Sequence, residues 1–224
     1  MFYLRNLISG RGKIIILISN INISYGNRNI YKDFEINIED SKVNCIMGPS
    51  GCGKTTLLNY ISNKCLEENK NISYVFQEDR LIPWQTVYEN LELVCKRYYE
   101  YKYISNKVNN SLKEVGLLDY ARYYPNQLSG GMNQRVNIAR ALAIPSNIII
   151  MDEPFKSIDK NNKIEIINKM KNIFKESNAT VIFVTHYEDE NFLLSDKVIR
   201  LGGEPIQIIE EYYVDKTKQK VLDN

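Results

Sequence analysis

Histidine, tryptophan and long apolar runs are scarce in this chain, which has one histidine and one tryptophan among its 224 residues. The most apolar run, residues 14–18, has the length of a strand, whereas a helix needs roughly 20 apolar residues to cross a bilayer. The N-terminal apolar residues are interspersed with polar ones, and they lack the small-residue cleavage site of a signal peptide. We therefore expect a cytoplasmic chain with no membrane-spanning segment of its own.

The sequence also has little that suggests a zinc site or a nucleic-acid surface. Its four cysteines show no Cys-x-x-Cys spacing, and together with the single histidine this argues against zinc. The 29 basic and 27 acidic residues are intermixed and leave a net charge of only +2. Because nucleic-acid binding usually needs a clustered basic surface, we expect no nucleic-acid partner.

Four continuous apolar segments of strand length recur along the chain, at residues 43–47, 72–76, 148–151 and 181–184. Such segments suit a sheet covered on both faces, so the predicted fold class is α/β with a largely parallel core. Residues 21–25 and 34–38 alternate apolar and polar positions, which predicts an antiparallel β subdomain. Helical spacing over residues 86–125 predicts a small helical subdomain. We expect one folding unit, with a core of residues 1–85 and 136–210, a helical lobe at about 86–135 and a polar tail at 211–224.

A glycine-rich loop follows the first of these segments and precedes a helical pattern. The loop has the form Gly-x4-Gly-Lys-Thr and consists of Gly48, Pro49, Ser50, Gly51, Cys52, Gly53, Lys54 and Thr55, with Thr56 next in the chain. Glycines let backbone N–H groups turn toward phosphate oxygens, and Lys54 supplies a point charge to the β and γ phosphates. The Thr55 hydroxyl can ligate Mg²⁺. A strand, this loop and a helix in that order predict a nucleotide-binding phosphate loop.

Two acids, Asp152 and Glu153, come directly after the apolar segment at residues 148–151. Because ligands of open α/β sheets bind at the carboxyl ends of the strands, we expect both acids near the phosphate loop. We predict that Asp152 helps to hold Mg²⁺ and that Glu153 orients and deprotonates an attacking water as a general base. The single histidine, His186, closely follows the last apolar segment and is expected at the same edge of the sheet.

A second anion-binding signal lies between the phosphate loop and the acids. The run in question is Leu128-Ser129-Gly130-Gly131-Met132-Asn133-Gln134-Arg135, and it opens a helical pattern. A helix N-terminus attracts anions, and because the chain already has one phosphate loop, this one is predicted to serve ATP held by another subunit. The order of phosphate loop, this run, paired acids and histidine resembles the ATP-binding cassette family over nearly the whole chain.

The resemblance implies the fold, the assembly and several residue roles. It implies a P-loop NTPase core, in the fold of ABC ATPases, and a head-to-tail homodimer that sandwiches two ATP molecules. Ser129, Gly130 and Gly131 would then contact the ATP of the partner. Further roles follow from the same resemblance: Gln77 contacts Mg²⁺ and the water, His186 acts at the γ-phosphate, Tyr25 stacks on adenine, and Asp159 belongs to a loop at the dimer contact. Tyr187 stands where many relatives carry an acid.

The resemblance also implies a transport partner. With no membrane segment of its own, the chain would energise a separate integral-membrane permease from the inner face of the cell membrane, with a solute-binding protein in the full system. Residues 76–84, which include Trp84, resemble the same stretch in importers of nitrate, aliphatic sulfonates, taurine and the pyrimidine precursor of thiamine. Two alternatives stay open: a soluble cassette ATPase, for example in iron–sulfur assembly, and a P-loop kinase, which leaves residues 128–135 unexplained.

Overall fold

The computed structural model describes residues 5–8 and 14–215, and the remaining parts of the predicted core and tail lie outside the described residues. The described strands are β1 Arg5–Ile8, β2 Ile14–Tyr25, β3 Arg28–Glu39, β4 Val43–Met47, β5 Ile72–Val75, β6 Ile148–Asp152, β7 Thr180–Val184, β8 Lys197–Gly202 and β9 Gln207–Tyr213. The α-helices are α1 Lys54–Glu67, α2 Val87–Cys95, α3 Tyr101–Glu114, α4 Gly130–Leu142, α5 Lys160–Ser177 and α6 Glu188–Leu194. Short 3₁₀ turns lie at Leu118–Tyr120 and Pro125–Gln127.

The main sheet has six strands in the order β5-β6-β7-β4-β8-β9, and all neighbours are parallel except the antiparallel pair β8 and β9. All residues of β4, β6 and β7 are buried, as expected for strands covered on both faces. The strands β5, β6, β7 and β4 are contiguous in the sheet, so the loops that follow them meet at one edge.

Alternate residues of the strands face two separate apolar layers. On one face, α1 and the antiparallel sheet β1-β2-β3 cover the sheet, and Ile148 and Ile150 of β6 point into this layer. On the other face lie α2, α3, α4 and α5, and Ile149 and Met151 of the same strand point toward them. The period of two along β6 therefore divides its side chains between both layers.

The α/β fold, the parallel core and the antiparallel subdomain agree with the sequence-based prediction, whereas two boundaries differ. The predicted boundary between residues 135 and 136 falls inside α4, so the helical lobe and the core share one continuous helix. Residues 211–213, expected in the polar tail, continue β9 because they pair with β8 through Tyr213 and Lys197. In the described part of the chain no helix combines the length and the apolarity needed to cross a membrane.

Candidate functional site

The loops after β4, β5, β6 and β7 surround one open cavity of about 600 Å³. It brings together most of the site residues predicted from the sequence. The lining residues are Ser50, Gly51, Gly53, Lys54, Thr55, Thr56, Gln77, Asp152, Glu153, Lys156, Val184, His186 and Tyr187.

The phosphate loop adopts a backbone that glycine favours at two positions. Gly51 and Gly53 have φ angles of +75° and +97°, in the left-handed region. A Cβ at Gly53 would also lie 2.7 Å from Cγ2 of Ile30, whereas one at Gly51 would meet no atom within 4 Å in the part of the chain that the structure describes. Gly53 is the N-cap of α1 and provides no side-chain hydrogen bond to the first turn. Among the described residues, the first N–H groups of α1 therefore have no capping side chain as acceptor, which suits a phosphate at this helix terminus.

Lys54 is the charged group of this loop, and its side chain is held in place by backbone atoms. Its Nζ donates hydrogen bonds to the carbonyl oxygens of Gly48 and Pro49, both at 2.8 Å, and the residue is only 7% exposed. On the other side of the loop, Tyr31 Oη donates to the carbonyl oxygen of Gly53 at 3.0 Å. The buried ammonium is thus restrained beside a helix terminus, where it adds positive charge for an anionic ligand.

Thr55 and Asp152 place two oxygen atoms of the kind that Mg²⁺ binds in the cavity. The Thr55 hydroxyl donates to Oδ2 of Asp152 at 2.7 Å, and Asp152, the last residue of β6, is 3% exposed. Burial raises the pKa of Asp152, although the Thr55 hydroxyl acts in the opposite direction. Magnesium usually binds one or two carboxylates together with substrate phosphates, so these oxygens fit it, with Gln77 lining the same cavity.

Glu153 has an unusual backbone and three side-chain partners. Its φ is +45°, and its N–H donates to the carbonyl oxygen of Val184 at 3.0 Å. The carboxylate accepts from Gln77 Nε2 at 3.2 Å, and it lies 3.3 Å from His186 Nδ1 and 3.4 Å from Lys156 Nζ. A left-handed conformation in a non-glycine residue is costly, and here it turns the carboxylate into the cavity directly after the strand.

Lys156 is a cavity residue that sequence analysis missed. It lies three positions after Glu153, and the Lys156 N–H donates to the Glu153 carbonyl oxygen at 3.3 Å, which forms a turn that brings the two side chains together. The i to i+3 spacing of an acid and a lysine was the available signal, although a turn after Pro154 could equally have separated them.

Helix α4 supports both loops that carry the acids and the glutamine. Gln134 Nε2 donates to the Pro154 carbonyl oxygen at 3.0 Å, and Asn137 Nδ2 donates to the Phe76 carbonyl oxygen at 2.9 Å. At the start of α4, a Cβ on Gly131 would lie 2.6 Å from the carbonyl oxygen of Ser157. Gly131 therefore allows the helix to pack closely against the loop that follows Glu153.

Several predicted residues lie outside this cavity. Ser129 and Asp159 are exposed N-caps, of α4 and α5, and their side chains accept hydrogen bonds from the N–H groups of Met132 and Asn162. Gly130 lies next to Ser129 in the first turn of α4. Four further predicted residues lie elsewhere: Tyr25 is 65% exposed at the end of β2, Cys52 lines a separate cavity of about 50 Å³, and Gly48 and Pro49 line a neighbouring cavity that His186 also borders.

The sequence is similar to one family model and to several curated proteins. The family model described as "ABC transporter" matches residues 31–156, which is more than half of the chain. An aliphatic sulfonates import ATP-binding protein of Pseudomonas syringae pv. tomato is 33% identical over 197 residues, covering 84% of this chain and 82% of the relative. A nitrate import ATP-binding protein of Synechococcus elongatus is 34% identical over 197 residues, with 80% and 72% covered.

Solved structures resemble the fold as well. A dimeric ATP-binding cassette in a post-hydrolysis state, bound to ADP and Pi, superimposes with a TM-score of 0.77 at 29% sequence identity. The superposition covers 91% of this chain and 98% of the other. A second dimeric structure, described as a bacterial ABC transporter cassette, gives a TM-score of 0.78 at 30% identity with the same coverage.

Proposed function

Because the chain belongs to the ABC transporter family, we propose that it is the ATP-binding and ATP-hydrolysing subunit of an importer of a small solute. The observation that carries this proposal is the convergence of Lys54, Thr55, Asp152, Glu153 and His186 on one cavity. The sulfonate and nitrate import proteins among the relatives support a solute of the nitrate, sulfonate or taurine type. They do not favour a soluble ATPase outside transport.

In this proposal the phosphate loop holds ATP. Lys54 neutralises charge on the β and γ phosphates, and the N–H groups at the N-terminus of α1 donate hydrogen bonds to phosphate oxygens. Thr55, Asp152 and Gln77 would hold Mg²⁺, which neutralises phosphate charge and orients the γ-phosphate.

The hydrolytic step depends on the carboxylate of Glu153. It accepts a proton from a water placed in line with the γ-phosphate, while Gln77 and His186 hold the carboxylate from two sides. General-base catalysis of this kind contributes typically about 10²- to 10⁴-fold. Replacement of the carboxylate should therefore remove turnover and preserve ATP binding.

The positions of Ser129, Gly130 and Gly131 support a composite site in a head-to-tail homodimer. These residues start α4 and do not line the cavity of their own chain, although an exposed helix N-terminus suits a phosphate. We assign them to the ATP bound by the partner chain, with Asp159 near the same contact and Tyr25 stacking on adenine. Since a ligand shifts an equilibrium only by its differential affinity, ATP contacts made by both chains would favour the closed dimer.

The solution mass of Glu153→Gln tests this assembly. With Mg-ATP we expect a dimer and no hydrolysis, because the substitution keeps the shape of the side chain and removes its charge. With Mg-ADP we expect a monomer. Glu165→Gln, which changes an acid of α5 whose side chain is 62% exposed, serves as the control and should hydrolyse ATP normally.

If Glu153→Gln stays monomeric with both nucleotides, the assembled complex becomes the test. Ser129→Arg places a bulky side chain at the start of α4, where the partner's γ-phosphate would bind. Loss of ATPase activity in the complex would support the composite site. Full activity would contradict it.

The permease contact is assigned to the loop between β5 and α2. Trp84 in this loop is 78% exposed, and exposed aromatic residues commonly mark protein contacts. Gln77 lies in the same loop, so a contact here could transmit closure of the cassettes to the permease. Binding to such a permease places the chain at the inner face of the membrane, with a solute-binding protein completing the importer.

Trp84→Ala should retain the ATPase activity of the free subunit and lose co-purification with the permease. Ile209→Ala is a matched control, since Ile209 is 65% exposed on β9, at the opposite edge of the sheet from β5. Normal co-purification of Trp84→Ala, or equal loss in both variants, would contradict the assigned contact.

A further inference from the structure

Tyr187 packs against the neighbouring His186 at the wall of the cavity that contains the phosphate loop. The ring centroids of His186 and Tyr187 are 3.9 Å apart, with an angle of 37° between the ring planes. His186 Nδ1 also lies 3.3 Å from Oε1 of Glu153. The imidazole thus has an aromatic neighbour as well as a carboxylate partner. Such ring contacts restrain a side chain that remains 39% exposed.

Tyr187 is itself held by a buried polar cluster. Its backbone N–H donates to Thr185 Oγ1 at 3.1 Å, and this hydroxyl donates to Oε2 of Glu190 at 2.5 Å. The other carboxylate oxygen of Glu190 lies 2.6 Å from Nζ of Lys163, and the side chain of Glu190 is only 1% exposed. The same ammonium lies 4.8 Å from the centroid of the Tyr187 ring, within the range of a cation–π interaction.

This cluster connects two parts of the chain. Lys163 belongs to the first turn of α5, and its N–H donates to the carbonyl oxygen of Asp159, the N-cap of that helix. Glu190 lies on α6, directly after the histidine loop. Because an ion pair between largely buried groups has few alternative geometries, it links the two helices and keeps the Lys163 ammonium beside the Tyr187 ring.

We propose that Tyr187 is a positioning residue that holds the His186 imidazole toward Glu153, with Lys163 and Glu190 as its support. The proposal rests on the proposed function, since it concerns how His186 is oriented for hydrolysis. Its contacts are made by the aromatic ring, so the phenol hydroxyl is not required. Tyr187→Phe should therefore preserve the positioning of His186, whereas an aliphatic side chain of similar bulk should lose it.

The single histidine of the chain makes this geometry measurable. We would label histidine with ¹³C in a protein without a histidine tag and record the ring resonances of wild type, Tyr187→Phe and Tyr187→Leu. Stacking on an aromatic ring shifts these resonances upfield. The shift should persist in Tyr187→Phe and disappear in Tyr187→Leu. An unchanged spectrum in Tyr187→Leu would overturn the contact.

The kinetic test separates positioning from binding. In Tyr187→Leu we expect kcat for ATP hydrolysis to fall roughly threefold to tenfold with KM for ATP unchanged, and Tyr187→Phe should recover the wild-type kcat. If the Tyr187→Leu protein does not fold, Tyr187→Met is judged by the same criteria. A wild-type kcat in Tyr187→Leu, or equal loss in Tyr187→Phe, would overturn the proposal.

Two reference variants distinguish this proposal from the proposed function. Glu153→Gln and His186→Ala should both lose most ATPase activity. If they do and Tyr187→Leu does not, only the positioning role is wrong. If Glu153→Gln and His186→Ala both hydrolyse ATP normally, the proposed chemistry fails, while the histidine spectrum still reports whether the rings stack.

Discussion

Adjacent glycines at the start of α4 should respond in opposite directions to the same substitution. A Cβ at Gly131 would lie 2.6 Å from the carbonyl oxygen of Ser157, whereas a Cβ at Gly130 would meet no atom of the described residues within 4 Å. Both residues are in the first turn of one helix, so the local effect of alanine is similar at both. The difference between Gly131→Ala and Gly130→Ala therefore isolates the contact between α4 and the loop after Glu153.

The expected magnitudes follow from this geometry. The clash at Gly131 involves a backbone atom, which cannot rotate away, and overpacking typically costs about 1–3 kcal/mol. For a chain of this size each 1 kcal/mol corresponds to roughly 2–4 °C in Tm, so Gly131→Ala should unfold about 2–12 °C below wild type. Gly130→Ala removes backbone freedom from the unfolded chain and should gain up to about 1 kcal/mol.

Thermal unfolding of the nucleotide-free protein, followed by circular dichroism, measures both variants. Without nucleotide, the comparison reports packing within one chain and excludes any effect on ATP contacts. An equal Tm for the two variants would refute the close packing of α4 on the Ser157 carbonyl. In an ATPase assay of the assembled complex, we expect both variants to lose activity, since both glycines are assigned to the partner's phosphates.

Two further predictions concern the charge at Asp152 and the loop that carries Trp84. Because burial raises the pKa of Asp152, its contribution to stability is present below the unfolded pKa of about 3.9 and is lost as pH rises through the higher folded value. In urea unfolding, the free energy of unfolding of Asp152→Asn should therefore exceed that of wild type, and by more at pH 7 than at pH 4.5. The variant should also bind Mg-ATP more weakly. A stability difference that does not change with pH would contradict this account. Asn90 is 1% exposed and bonds to both the N–H and the carbonyl oxygen of Ile82, so Asn90→Ala should cost about 2–4 kcal/mol and weaken permease binding. Asn109→Ala, which removes one hydrogen bond to Ser105 on half-buried Asn109, is the control. Equal stability of these two asparagine variants in the same assay would refute the role of Asn90.

The local parts of the site could be predicted from sequence because their chemistry is local. A strand, a glycine-rich loop and a helix occur in order at residues 43–67, and the structure has β4, the loop and α1 at those positions. The acids at the end of β6 and the histidine after β7 follow from the same pattern of an apolar strand with a polar end. The roles assigned to these residues remain predictions for the experiments described above.

The boundaries were less predictable, since they depend on packing and pairing at a distance. Helical periodicity does not stop where α4 passes from the lobe to the core, so the predicted boundary at residue 135 had no local signal. Likewise β9 continues to Tyr213 through pairing with β8, and Tyr213 Oη hydrogen-bonds to Glu39 of β3. A polar edge strand resembles a tail until its partner strand is known.

The sequence by itself determined which chemical groups the chain contains and which of them end strands, because side-chain type and local periodicity are properties of neighbouring residues. Only the tertiary structure decided that β7 lies between β6 and β4, which brings His186 to Glu153. It also decided that Lys156 approaches the same carboxylate and that Lys163 and Glu190 hold Tyr187. The order of parallel strands and the packing of helices on them arise from contacts between distant residues, and local sequence patterns do not specify these contacts.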